Sequence, residues 1–351
     1  MRRLTLTPLA LLLLHAILLC LPSGSAAAQP PQIDTQYGPL PVFELHSGFW
    51  INLHHTLYQQ AKQRRDPKAA AAVPASAFAA PPTRRNKSEQ LAWDAAVSYY
   101  ADNYADKDLL FNTEMLLLKN QLGDFEGCDE LSGVKLKTCD AGLPGKLTQV
   151  LEAAAPVYRA HEWPDHDRAN RKWIAQVAPL VREQGLGLSE RLADIFQTRW
   201  PKEKIRVDVS AYANSQGAYT TLGPLRVVIS SIDPRNQGSA ALEILFHEAS
   251  HGIAERVQQA IVRECRQREK AIPRDLWHAL LFYTTGEVIK PVLSGQTVGG
   301  PDPEYTPYAI RERLYQRDWD DYLKLLTRFW QPYLDGRVTF DDAIAHMVSA
   351  L

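Results

Sequence analysis

Between Lys204 and Ser230 the hydrophobic pattern of this chain changes period. Ile205-Arg206-Val207-Asp208-Val209 alternates apolar and polar residues, as a half-buried strand does, and Leu225-Arg226-Val227-Val228-Ile229-Ser230 reads as a second strand closed by Asp233-Pro234. Residues 212–224, between them, carry Gly and Asn turn signals. On either side the apolar residues recur at helical spacing. Helices are expected at 47–64, 107–121, 145–160, 166–184 and 188–198 before the strands, and at 238–267, 274–290, 317–334 and 339–350 after them. A further helix begins near Asn86, where Glu89 stands three residues on as a capping-box partner. The expected fold class is α+β, mainly helical, with a small central sheet.

The first 28 residues are set apart. Arg2 and Arg3 precede a run of about 14 apolar residues ending near Leu21, and the small residues Ser23 to Ala28 follow. The run is shorter than the roughly 20 residues that span a bilayer. It reads as a secretory signal peptide cleaved near Ala28, which makes the rest an exported chain, periplasmic or extracellular, with no membrane span. The expected organisation is residues 1–28 as signal, 29–200 as an N-terminal helical region and 201–351 as a catalytic region, the last two packed as one unit. An Ala- and Pro-rich stretch, 66–87, reads as a flexible surface loop. Export favours oxidation, so Cys128 and Cys139 are expected to bridge a local loop, while Cys265, in a helical pattern, reads as a buried thiol. With 39 basic and 40 acidic side chains there is no excess charge to hold a phosphate backbone, and no nucleic-acid partner is expected.

Chemistry concentrates at His247-Glu248-Ala249-Ser250-His251. Residues i and i+4 lie one above the other on a helix, so two imidazoles there can face one metal ion. Glu248 is turned about 100° from His247 and can reach a water on that ion without ligating it. About 0.02 such matches are expected by chance in a chain of this composition. The flanking Ile244, Leu245, Gly252 and Ile253 add no charge.

Here the sequence resembles the zincin metallopeptidases, whose active-site helix carries HExxH behind an edge strand that binds extended substrate. The resemblance covers about 65 residues, from the strand at 225 to Glu287. It implies a secreted zinc-dependent peptidase with Zn2+ on His247, His251 and a third protein ligand, water in the fourth position, and Glu248 as general base toward a peptide or protein substrate. The metzincin continuation is absent, because Ala254 and Val257 stand where its Gly and His would be. The gluzincin pattern takes its third ligand from a later helix, which offers Glu287 and, as the alternative, His278. If the active-site helix runs on to 267 and returns as an antiparallel partner from Pro273, a rise of about 1.5 Å per residue brings Glu287 level with the histidine pair. His278 would then lie about 16 Å further along.

An oxyanion would need a donor besides the metal. Tyr305 and Tyr308, in a Gly/Pro-rich loop, are the expected candidates, with Tyr283 and His278 also in reach of such a role. His46, His54 and His55, beside Trp50, read either as pocket lining or as buried histidines next to an aromatic face. Two alternatives to a peptidase stay open: a non-catalytic exported binding protein on a zincin scaffold, and a zinc amidohydrolase acting on a non-peptide amide.

Overall fold

The computed structural model describes residues 39–66, 85–131, 142–294, 305–319 and 321–351. The expected signal peptide, Cys139 and nearly all of the Ala/Pro-rich stretch lie outside them. The protein is mainly helical with one four-stranded sheet, an α+β fold. In chain order it runs β1 (Phe43–His46), α1 (Phe49–Arg65), α2 (Lys87–Asn103), α3 (Thr113–Asp124), α4 (Gly145–His161), α5 (Trp163–Ile195), β2 (Ile205–Ser210), β3 (Ala218–Leu222), β4 (Leu225–Ser230), α6 (Ala240–Ser250), α7 (Glu255–Gln267), α8 (Leu276–Leu293) and, after short helical pieces between Tyr308 and Leu334, α9 (Phe340–Ala350). No described helix is long and apolar enough to cross a membrane.

The sheet order is β1-β2-β4-β3. β1, β2 and β4 are parallel; β3 lies antiparallel at the margin, with Ala218 opposite Ile229 and Thr220 opposite Val227. Two of these strands carry weak signals. β1 is only four residues long and follows Pro41, and β3 is framed by Gly217 and Gly223, which made its segment read as turn.

Alternation along the strands puts one buried cluster on each face. Ile205, Val207, Val209, Val227, Ile229 and Ala218 face α5, α6, α8 and α9, whereas Tyr219 and Val228 face α1 to α4. The second face also buries charge. Arg206 donates to Asp208 and Glu126, Arg226 donates to Asp124, and the fully buried Lys119 donates to Thr221 Oγ1 at 2.8 Å. Burial lowers the Lys119 pKa to about 8.

Several helix limits have visible causes. The Asn86 side chain accepts from the Glu89 amide and the Glu89 carboxylate accepts from the Asn86 amide, the reciprocal cap expected from sequence. The spans 166–184 and 188–198 form one helix, α5, starting with Pro164 in its first turn. The span 238–267 is not continuous. α6 stops at Ser250, His251–Ile253 form a 3-10 turn, and α7 starts at Glu255. The chain grazes the sheet at this break: a Cβ on Gly252 would lie 2.6 Å from Leu225 Cδ2. Residues 317–334 are likewise broken, with a π-helical turn at Leu326–Trp330.

Candidate metal centre

All residues of α6 from Ala240 to Ser250 are buried, between the sheet and α8. His247 lies on this helix and His251 on the 3-10 turn that ends it. His278 comes from the first turn of α8, which begins after Asp275 in the left-handed region at φ 59°. These three imidazoles converge. One ring nitrogen from each lies within 4.8 Å of the others, and the ring centroids form a near-equilateral triangle with sides of 5.0, 5.0 and 5.2 Å.

The donor set suits a divalent ion such as Zn2+. Nε2 of His247 and Nε2 of His278 are 3.3 Å apart. Tetrahedral coordination with bonds of about 2.0–2.1 Å spaces ligand nitrogens about 3.3–3.4 Å apart, so this separation is the edge of such a tetrahedron. Ligation requires neutral imidazoles. Burial lowers the pKa of His251 to about 3 and of His278 to about 4, and takes His247 well below the usual histidine range. Aromatic rings close the surroundings. Phe282, one turn beyond His278, stacks on His247 with centroids 3.5 Å apart; Trp277 stacks beside His278; Trp319 meets both His278 and Phe282 edge-on or tilted.

His278, not Glu287, therefore accompanies the HExxH pair. The helix arithmetic that favoured Glu287 needed a straight helix through residue 267, and the break at His251 removes that premise. Nine residues beyond His278, Glu287 lies about 14 Å along the axis of α8. It is not a member of the cluster.

Glu248 is held on the sheet side of α6. Its Oε2 lies 2.7 Å from Thr220 Oγ1, and its carbonyl oxygen 2.8 Å from the same hydroxyl. One hydroxyl proton cannot serve two acceptors. The Thr220 hydroxyl therefore donates to one acceptor at a time, the carboxylate or the carbonyl oxygen of Glu248. Burial raises the Glu248 pKa to about 7, against the opposing effect of a Thr220 hydrogen bond donated to the carboxylate. Thr220 lies on β3, so among the described residues β3 and not β4 is the marginal strand beside α6. Sequence reasoning did not single out Thr220; Tyr219-Thr220-Thr221 was the available signal, a strand-favouring run between two glycines.

Of the tyrosines expected near an oxyanion, Tyr305 and Tyr283 spend their hydroxyls elsewhere, and the Tyr308 phenol lies near Arg235 and Asp233, whose charges act on it. Tyr305 donates its hydroxyl to Glu243 Oε2 at 2.6 Å, and the backbone N–H of Tyr308 donates to the same oxygen at 2.9 Å. Glu243 is one turn before His247 on α6 and is fully buried, which raises its pKa to about 7. The Tyr308 ring lies parallel to Phe282 with Arg311 over it. Tyr283 donates to Gln331. The early histidines are on the far side of the sheet. His46 pairs with Glu126, His54 with Tyr100, and His55 bridges Ser210 and Tyr219. They pack the N-terminal helices and do not line the metal centre. Cys128 is disulfide-bonded and Cys265 is a buried free thiol.

No protein-family model matches the chain, and neither the curated proteins nor the solved structures include a match.

Proposed function

We propose that this chain is a zinc-dependent hydrolase that cleaves peptide bonds. One observation carries the reading: three buried imidazoles converge, two of them with Nε2 atoms 3.3 Å apart, beside the carboxyl of the adjacent residue Glu248. Bound by His247, His251 and His278, Zn2+ would supply Lewis acidity, lowering the pKa of water and polarising a carbonyl. The chain's own residues supply the rest. Glu248 takes the proton of the attacking water and returns it to the leaving amine, a role suited to a carboxyl whose pKa lies near 7. Thr220 fixes the Glu248 carboxyl relative to the edge strand. Phe282, Trp277 and Trp319 lower the local dielectric and so strengthen each electrostatic contact. The bonded state of Cys128 fits an oxidising compartment, in line with export.

The test is zinc content and hydrolysis of residues 29–351. The reading expects about one zinc per chain, absent in His247→Ala, and peptide cleavage that a chelator stops and zinc restores. No zinc after reconstitution would overturn it. Zinc with turnover of a non-peptide amide alone would leave the amidohydrolase, and zinc without turnover would leave a binding protein.

A further inference from the structure

With Glu287 released from the metal, its surroundings point to another role. It lines a cavity of about 160 Å³ together with Phe282, Tyr283, Tyr315, Pro307 and Ile310. Among the described residues Glu287 is the only formally charged side chain on its wall. Among the described residues the Glu287 carboxylate accepts no hydrogen bond and joins no ion pair. The two tyrosine hydroxyls are directed away, Tyr283 to Gln331 and Tyr315 to the Ala279 carbonyl. The rings remain as wall. Burial raises the Glu287 pKa and the charge of Lys290, one turn on along α8, offsets that only in part, while the faces of aromatic rings attract cations. Glu243 lies behind this wall: it couples electrostatically to Glu287 and to Tyr315, and a Cβ on Gly286 would sit 3.2 Å from its Oε1. The volume equals about five water molecules, room for a short aliphatic chain with a charged end.

Phe282 belongs to both places. It lines this cavity and stacks on His247. An extended peptide covers the roughly 14 Å from His278 to Glu287 in about four residues, so a side chain a few positions from a scissile bond at the histidines can enter this cavity. We propose that the cavity binds an aliphatic ammonium, the end of a lysine side chain in the substrate, with Glu287 as its counter-charge and Phe282, Tyr283 and Tyr315 around its stem. Only the identity of the molecule bearing the ammonium rests on the peptidase reading.

Binding of n-butylammonium to the whole protein, measured by calorimetry beside n-butanol, tests the cavity directly. The cation should bind at least tenfold more tightly than the alcohol. Glu287→Gln should abolish that preference, and Tyr283→Leu should weaken cation binding severalfold. Equal binding of cation and alcohol to the wild type, or equal cation affinity in Glu287→Gln, would overturn the proposal. Peptide pairs differing only in lysine or norleucine supply the second readout. The lysine member should be cut with about tenfold higher kcat/KM, and the ratio should approach one in Glu287→Gln. An unchanged ratio in Glu287→Gln would overturn the proposal. If no peptide is cut while n-butylammonium binding depends on Glu287, the cavity stands and the peptidase reading falls.

Discussion

Replacing His278 by alanine separates the observed site from the one helix arithmetic would build. His278 contributes one of three imidazoles, and its Nε2 stands at ligand-to-ligand distance from that of His247. Binding free energies of about 10–16 kcal/mol for four-coordinate zinc sites divide into about 3–4 kcal/mol per ligand. Loss of one ligand should therefore weaken zinc by roughly 100- to 1000-fold. Glu287→Gln, about 14 Å along the same helix, should change affinity less than threefold. Competition against a chromophoric chelator at constant pH measures both variants, and His278→Gln controls for the buried volume that alanine removes. Equal weakening by the two substitutions would refute the argument, because it would require Glu287 to reach the ion. An unaffected His278→Ala protein would refute it more simply.

Thr220→Val should keep zinc and lower kcat by about tenfold to a hundredfold, since the Glu248 carboxyl loses its tether, whereas Thr220→Ser should restore most of the rate; a rate unchanged in the valine variant would remove Thr220 from the site. Glu248→Gln should bind zinc normally and lose hydrolysis, because an amide cannot accept the proton, and full activity would dismiss the base assignment. Glu243 gives a pH-dependent effect on stability. Its folded pKa is raised from 4.5 to about 7, so its contribution is fully present below about pH 4.5 and is lost as pH rises through 7. Glu243→Gln, which stays neutral, should gain on the wild type by about 3 kcal/mol between pH 4.5 and pH 8. Urea unfolding of metal-free protein across that range measures the difference, and parallel curves would show that Glu243 is not held protonated.

The chemistry-bearing part of the site was legible where it is local. The i, i+4 spacing of His247 and His251, the strand at 225–230 and the cap at Asn86 all depend on neighbours within one or two turns. The third histidine depends on where two helices cross. That crossing is set by a break at His251, for which Gly252 was the only mark in the sequence, and Gly252 shows its reason only when Leu225 is seen against it. The tether from Thr220 was hidden for a related reason. Gly217 and Gly223 bracket β3 closely enough to resemble a turn, and the pairing with β4 that makes it a strand is tertiary information. Tyr305 and Tyr308 were chosen for their loop, and a buried Glu243 on α6 claims the Tyr305 hydroxyl and anchors the loop through the Tyr308 amide.

The register of β1 has a consequence for how the protein reaches its folded state. Phe43 sits opposite Ile205, so the first strand completes a sheet whose other members lie more than 150 residues later in the chain. Parallel pairing at such separation is slow, because a long loop must close before any contact compensates for it. Until β1 docks, β2 is a second open margin, rich in valine and able to pair with another chain. A fragment starting after His46 would keep every histidine and glutamate of the metal centre yet leave that margin exposed, so such a truncation should fail by aggregation before it fails by loss of chemistry.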